Sequence, residues 1–429
     1  MSAPSASKRR VVVTGIGALT NIGLDAESVW SSMAAGRSGI TPVESEDFEL
    51  WGDDKWSVRI GGQVRGFDAS GRVDRREIKR IDRFALMGIC AAAEAVERSG
   101  IDFGTMDPSR AGVVIGSGIG GIAAITSGLE SLHEKGPDRI NPFTVPKLMI
   151  NSCAGHISIR YGLEGPSSAP ATACASSGHA VAEALRLIRE GACDVALAGG
   201  AEAAFTPLCV GSFMTMKALS TRNDEPEKAS RPFDRWRDGF VLSEGAAVMV
   251  LESLESAKAR GAEILGELLG AGASSDAHHI TAPDPGGKGA AASMRAALAD
   301  AGLNPEDVDY INAHGTSTPL GDAAEVAAAT AVFGDHALMS RGGKLLMSST
   351  KSMHGHCLGA SGGVESVACL NAIRLGVVPP TINCDEPDEG FDLDFVPHEA
   401  REVPVKVAMN NTFGFGGHNV TLLFRRFEG

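Results

Sequence analysis

The sequence predicts an α/β protein built from two similar lobes, and three observations carry that reading. Apolar runs end in glycine-bearing turns and lead into helical patterns, as where Val11-Val12-Val13-Thr14-Gly15 precedes a helix over 26–35. The order of strands and helices in the second half of the chain matches the order in the first, with no residue-level repeat period. Glycine supplies 53 of the 429 residues, well above the usual share of about 7%. Because these glycines sit beside apolar runs, they imply tight turns and close backbone approaches rather than disorder.

In chain order, Asp25 stands before the first helix, and residues 44–71, with Trp51, Trp56 and mixed charge, read as a surface excursion. Between Arg72 and Arg83 lie six basic residues (Arg72, Arg75, Arg76, Lys79, Arg80, Arg83) and three acidic ones (Asp74, Glu77, Asp82). Positions 72, 76, 79 and 83 would share one helix face, which reads either as a solvated surface or as a dock for an acidic partner. A strand over 111–116 enters a glycine turn, then a helix over 122–133. Gly116, Gly118 and Gly121 fit the dinucleotide pattern Gly-x-Gly-x-x-Gly, but no acidic residue follows a second strand at the ribose-binding distance. The loop 165–170 leads to Thr172-Ala173-Cys174-Ala175-Ser176-Ser177-Gly178-His179 and a helix ending near Gly191; a strand follows over 195–200. A polar loop over 220–232 and a strand over 248–251 close the first lobe. The linker around 256–266 sets the boundary, giving units 9–262 and 263–429. The second lobe reads as helix 289–301, strand 308–312, helix 322–332, strand 345–350, a small-residue helix 359–375 and a closing strand 405–409.

Composition excludes several classes of function. The net charge of −14, from 39 basic and 53 acidic side chains, opposes nucleic acid and anionic membranes, so an acidic partner needs a local basic patch. The eight cysteines are dispersed without a Cys-x-x-Cys pair, which points to a reducing compartment and no zinc site. Lys8-Arg9-Arg10 and the apolar run after it imitate a signal peptide briefly, but glycines break the run and no cleavage site follows. No run approaches the ~18 apolar residues of a membrane span. The expected location is cytoplasmic.

Cys174 at the start of a helix would feel unpaired N–H groups and the positive helix end, which favour thiolate; the alternative is a small buried hydrophobe. Three glycine-rich loops of the second lobe, 312–322, 348–356 and 410–419, carry polar groups directly after apolar strands. Strand-end loops are where open α/β sheets place their sites, so one cysteine and two or three histidines can meet in one cleft. The pairs His354/His356 and His278/His279 lack cysteine or carboxylate partners at metal-ligand spacing.

These four segments, with Arg231-Pro232-Phe233-Asp234 and Arg237-Asp238-Gly239-Phe240, resemble the signatures of the beta-ketoacyl-acyl carrier protein synthases, specifically the synthase II type, over about 10–424. The resemblance implies the thiolase fold, two pseudo-symmetric halves in five alternating α/β layers, working as a homodimer. It implies condensation of an acyl chain with malonyl carried on acyl carrier protein, with loss of CO2. Cys174 is then the nucleophile, His314 and His356 the catalytic pair, and Lys351 and Glu365 their support. Backbone N–H groups of Cys174 and Phe415 would form an oxyanion hole, with Phe415 also a gate. Thr316 and Thr318 would hold the phosphopantetheine arm, and Ile119, Phe213, Asp276 and Phe413 would contact substrate. Arg75, Arg76, Lys79, Arg80 and Lys217 would dock the carrier protein. No metal or organic cofactor is required for the chemistry, although Asn312, Glu365, Asn410 and Asn411 could surround a structural monovalent cation. His354, Ser177, Ser243 and Trp236 depart from the family pattern. A polyketide ketosynthase subunit and a catalytically silent chain-length partner, which usually lacks the cysteine, are the alternative readings.

Overall fold

The computed structural model describes residues 8–43 and 55–429; Trp51 and the 44–54 part of the expected excursion lie outside them. Ten strands share one sheet: β1 (Val11–Thr20), β2 (Ala111–Gly116), β3 (Ser167–Ser168), β4 (Val195–Glu202), β5 (Gly245–Ser253), β6 (Gly266–Ser275), β7 (Tyr310–Asn312), β8 (Leu346–Ser348), β9 (Val407–Gly414) and β10 (His418–Arg425). Their order is β8-β7-β9-β10-β6-β1-β5-β4-β2-β3. Counted outward from the centre, each set of five therefore follows the same path: first strand, fifth, fourth, second, third. Directions repeat too, with two antiparallel pairings followed by two parallel ones in each set. The sets meet where Val12 and Val13 of β1 pair with Glu267 and Gly266 of β6.

Helices complete five layers. On one outer face α1 (Arg83–Ser99) covers β1, β5 and β4; on the other, α3 (Lys288–Ala301) covers β6 and β10 and packs against α4 (Pro319–Phe333). The central layer holds α2 (Ser176–Arg189) and α5 (Ser361–Leu375), which touch each other and strands of both sets. α2 buries Ala180, Val181, Ala184, Leu185 and Ile188, an apolar stripe at helical spacing. α5 is enclosed by the layers around it, so it is buried on nearly every side, its polar Glu365 and Ser366 included.

Two strand readings are corrected. β1 runs on to Thr20, and β6 begins at Gly266 where the expected 256–266 linker ends, in a stretch with no strand expected, because both are interrupted by glycines that look like turns. The packing explains them: a Cβ on Gly17 would fall 2.1 Å from Ala91 O of α1, and one on Gly272 would fall 2.1 Å from Ser293 O of α3. Glycine lets each outer helix lie directly on its strand. The expected 410–419 loop is also mostly strand, since β9 pairs with β10 from Val407/Arg425 to Gly414/His418. The closing strand is thus a long hairpin, turning at Phe415-Gly416-Gly417 with both glycines at positive φ.

The basic run is not one helix. Asp74 caps a short helix (Arg75–Ile78), and Asp82 accepts from Phe84 N to start α1, so two N-caps divide the run. Arg72 pairs with Glu97 at 2.7 Å and Arg83 with Glu244 at 2.9 Å. Arg75, Arg76, Lys79 and Arg80 remain exposed, with the Arg80 guanidinium 4.9 Å over the Phe143 ring. Among the described residues, no helix is long and apolar enough to cross a membrane.

Candidate active site

A cleft of about 550 Å3 opens between the two sets of strands, and its lining includes Cys174, His314, His356, Ile119, Phe213, Phe413, Phe415, Thr316, Thr318, Asp276 and Lys217. Arg75, Arg76, Lys79 and Arg80 lie outside that lining. Cys174 stands on the 3-10 turn Ala173–Ala175 that leads into α2. Ala173 adopts φ +50°, a left-handed conformation costing an L-residue roughly 1–3 kcal/mol; it turns the backbone sharply just before the thiol. The hairpin turn presses against this loop, since a Cβ on Gly414 would fall 2.8 Å from Thr172 O and 3.1 Å from Cys174 N. That approach aims the backbone N–H groups of Phe415 and Cys174 at the sulfur.

The sulfur lies 3.1 Å from His356 Nε2, and His356 Nδ1 lies 3.0 Å from the Ser361 hydroxyl. His314 packs edge-on against His356, ring centroids 5.3 Å apart. His356 is fixed from behind by backbone pairing, its N–H donating to Val241 O at 2.7 Å and its carbonyl accepting from Ser243 N at 3.0 Å. Lys351 is 1% exposed and donates to His314 O at 2.6 Å and to the fully buried Glu365. Burial, reinforced by Lys351, holds both imidazoles well below the ordinary histidine pKa. The thiol departs from expectation: burial pushes Cys174 up to about 12, outweighing Lys351 and the two N–H groups. A helix start is not enough to make a resting thiolate in so dry a setting.

Other expected residues are placed as follows. Thr316 and Thr318 bond each other through their hydroxyls at 3.0 Å. Asp276 accepts from Asn419 Nδ2 at 2.7 Å and its N–H donates to Gly417 O at 3.0 Å, so it ties the cleft wall to the hairpin turn. Phe213 stands 6.5 Å from Phe415 and 5.3 Å from Phe240, and Phe240 in turn meets the His356 ring edge-on. His354 turns away from the cleft toward Thr350 Oγ1 at 3.0 Å, and burial pushes it down to about 3, so it is neutral beside His356. The Ser177 hydroxyl accepts from Gly363 N at 3.0 Å, joining α2 to α5. Trp236 is exposed and stacks under the Arg235 guanidinium.

Three carboxylates were not singled out by motif. Glu325 takes the N–H groups of His314 and Gly315 at 2.9 and 2.7 Å, and burial pushes it up to about 7. Asp322 takes those of Phe233 and Ser317. Both lie on the buried face of α4, three residues apart in an alanine-rich helix, and that spacing was the available signal. Glu202 fills the glycine turn of the dinucleotide-like pattern with its own carboxylate, accepting from Gly118, Ile119 and Gly120. A phosphate has no place there.

The strand partners Asn312 and Asn410 lie side by side. Asn312 Oδ1, Asn410 Oδ1 and Glu365 Oε2 are buried acceptors with no hydrogen-bond donor among the described residues. Such oxygens are costly unless something positive meets them, and amide and carboxylate oxygens suit a hard cation. Asn411 is committed elsewhere: its oxygen accepts from Thr421 and its amide donates to Glu325.

Known proteins resemble the chain over nearly its whole length. The family model "Beta-ketoacyl synthase, N-terminal domain" matches residues 8–257, and "Beta-ketoacyl synthase, C-terminal domain" matches 265–385. The chain is 48% identical to 3-oxoacyl-[acyl-carrier-protein] synthase 2 of Vibrio cholerae, covering 98% of this chain and 100% of the relative. It is 46% identical to the protein of that name from Synechocystis, covering 98% and 99%. Among solved structures, the ishigamide ketosynthase/chain length factor superposes with TM-score 0.90 at 34% identity, covering 98% and 100%. A type II PKS acyl-carrier protein in complex with its ketosynthase bound to the hexaketide gives TM-score 0.90 at 32%, with the same coverage. With both halves matched by family models and near-complete coverage by relatives at this identity, the chain belongs to the beta-ketoacyl synthase family.

Proposed function

We infer that this protein elongates acyl chains, condensing acyl-acyl carrier protein with malonyl-acyl carrier protein to give a 3-oxoacyl-acyl carrier protein and CO2, the elongation step of type II fatty-acid synthesis. The observation that carries the reading is Cys174 Sγ at 3.1 Å from His356 Nε2 with the His314 ring alongside, inside a cleft. In the first step Cys174 sulfur bonds the acyl carbonyl carbon and the carrier's thioester C–S bond breaks. His356 takes the thiol proton, and the leaving thiolate is reprotonated. The N–H groups of Cys174 and Phe415 hold the oxyanion. In the second step the malonyl C–C bond breaks, CO2 leaves with no electron pair, and the pair becomes an enolate. His314 and His356, both neutral, each present an N–H to its oxygen. The enolate carbon then attacks the acyl-Cys174 carbonyl, the C–S bond to Cys174 breaks, and the released thiolate takes up one proton from solvent.

Lys351, Glu365 and Glu325 are positioning residues in this scheme: Lys351 and Glu325 grip the His314 backbone, and Glu365 anchors Lys351. Thr316 and Thr318 receive the pantetheine arm. Ile119, Phe213 and Phe413 line the substrate path, with Phe415 as its gate and Asp276 holding the gate turn. Asn312, Asn410 and Glu365 would hold a monovalent cation, which would supply positive charge to otherwise unpartnered oxygens. The acidic carrier docks on Arg75, Arg76, Lys79, Arg80 and Lys217. A second copy pairs at the sheet end, where β3 leaves an open edge near Ile159, 80% exposed. The boundary near 262 separates the two halves, and eight free cysteines suit a reducing cytoplasm.

Incubation with acyl- and malonyl-carrier protein followed by mass spectrometry tests the reading. A 3-oxoacyl product two carbons longer supports it; no product at any chain length leaves the silent-partner reading, and repeated extension without intervening reduction leaves the polyketide one.

A further inference from the structure

Glu202 ends β4, fully buried, and its carboxylate takes five donors. One oxygen receives Ser117 Oγ at 2.8 Å, Ile119 N at 3.2 Å and Gly120 N at 3.3 Å. The other receives Gly118 N at 2.7 Å and Gly359 N at 3.1 Å. These donors belong to two separate loops. The first presents Ile119 to the cleft; the second follows His356 and presents Leu358 to the same cleft. The loops touch with no slack, since a Cβ on Gly359 would fall 2.3 Å from Gly118 N. Gly118 in turn abuts the Cys174 turn, where its Cβ would fall 3.1 Å from Ala173 O.

We propose that Glu202 is a positioning residue for acyl-chain selection: it clamps the Ile119 and Leu358 walls together beside Cys174 and so sets which chain lengths the cleft accepts. The proposal rests on the condensing reading above. A carboxylate is suited to this because it only accepts, on two oxygens with about four lone-pair sites, and can gather donors from two loops at once. Glutamine of the same shape would turn an N–H2 group toward backbone N–H groups, and buried donors without acceptors force separation. The strain falls on the 117–121 turn, which lies outside any helix or strand, while β4 is held on both sides by β5 and β2. A shift of that wall matters because the fit of one methylene in an apolar pocket alters discrimination by roughly 10–200-fold.

The test measures kcat/KM of the full-length protein across acyl-carrier protein thioesters of increasing chain length. Wild type is compared with Glu202→Gln, Ser117→Ala, Ile119→Ala and the two pairwise combinations with Ile119→Ala. Glu202→Gln is expected to compress the spread between best and worst chain lengths by about tenfold or more, and Ser117→Ala by less. Neither should compress it further once Ile119 is truncated. If Glu202→Gln does not fold, Ser117→Ala and its combination with Ile119→Ala decide alone. A uniform loss at every length, an unmoved spread, or additivity in the combinations overturns the proposal. A wild-type protein that forms no product at any length overturns the condensing reading and this proposal with it; product formation with an unmoved spread overturns this one alone.

Discussion

Replacing Lys351 with alanine tests how the site holds its charges. Lys351 and Glu365 are 1% and 0% exposed and bond each other, and Lys351 also donates to His314 O at 2.6 Å. Breaking a buried pair by removing one partner costs about 3–5 kcal/mol, because the other charge is left uncompensated. That is a large part of a typical 5–15 kcal/mol of folding stability. In buffer free of the monovalent cation Glu365 can escape the cost by taking a proton, and its carboxyl already stands raised to about 7, with burial the main cause and Lys351 pulling it back. Without Lys351 it rises further. A carboxyl raised in the folded state gives stability that is complete below its unfolded pKa and lost as pH climbs through the folded value. The variant's deficit against wild type should therefore be smallest near pH 5 and grow toward pH 8. Urea unfolding midpoints across that range measure it. Lys351→Met with Glu365→Leu, which removes both charges, should recover most of the stability while leaving condensation abolished. A deficit independent of pH, or a midpoint equal to wild type, would refute the reasoning.

Four further outcomes follow from the same geometry. Cys174→Ser should lose elongation while Cys174→Gln, resembling the acylated state, keeps malonyl decarboxylation; CO2 release separates the two, and an inert Gln variant would require a different division of labour with the histidines. His354→Thr should retain condensation, because His354 is neutral and faces away from the cleft; a loss as large as that of His356→Ala, measured by product formation, counts against this placement. Gly414→Ala puts a Cβ 3.1 Å from Cys174 N, and displacing an oxyanion donor should slow acyl transfer to Cys174 by about 10²–10³-fold, read by the rate of acyl-enzyme formation. Charge reversal at Arg76 and Lys79 should raise KM for the carrier protein, and added salt should raise the wild-type KM by screening; a KM that responds to neither removes the docking assignment.

The sequence made the lobes legible because their strand order repeats and their apolar runs are short and clear. It hid β6 because Gly266, Gly270 and Gly272 look like turn residues, when Gly270 and Gly272 let α3 lie on the strand and Gly266 makes room for Leu370 and Ile373 of α5. It hid the division of the basic run, because helical spacing alone cannot show that Asp74 and Asp82 each start a helix. The four loops with Cys174, His314, Lys351 and His356, and Phe415 were legible through motif. Glu202 and Glu325 were not, since each acts through backbone N–H groups of residues distant in sequence, and no local pattern marks a carboxylate as an acceptor for a remote loop.

The high pKa of Cys174 changes what its position on a helix means. If the helix start alone activated the thiol, the sulfur would be ionised at rest and open to any electrophile that entered. Burial instead holds it protonated at about 12, next to an imidazole that burial and Lys351 keep neutral and able to take a proton. Ionisation then becomes favourable only as the thioester arrives, when the proton has somewhere to go and the two N–H groups have an oxyanion to meet. The surrounding charges fit that order: Lys351 lowers the cost of the thiolate while raising the cost of imidazolium, so it favours a proton that moves on rather than one that stays. In the proposed scheme the same neutral imidazoles serve the second half-reaction, where an N–H donor is needed and a positive ring is not. In that scheme burial sets the resting protonation states, and Lys351, fixed by Glu365 and His314 O, offsets part of the penalty on the thiolate while adding to the penalty on imidazolium.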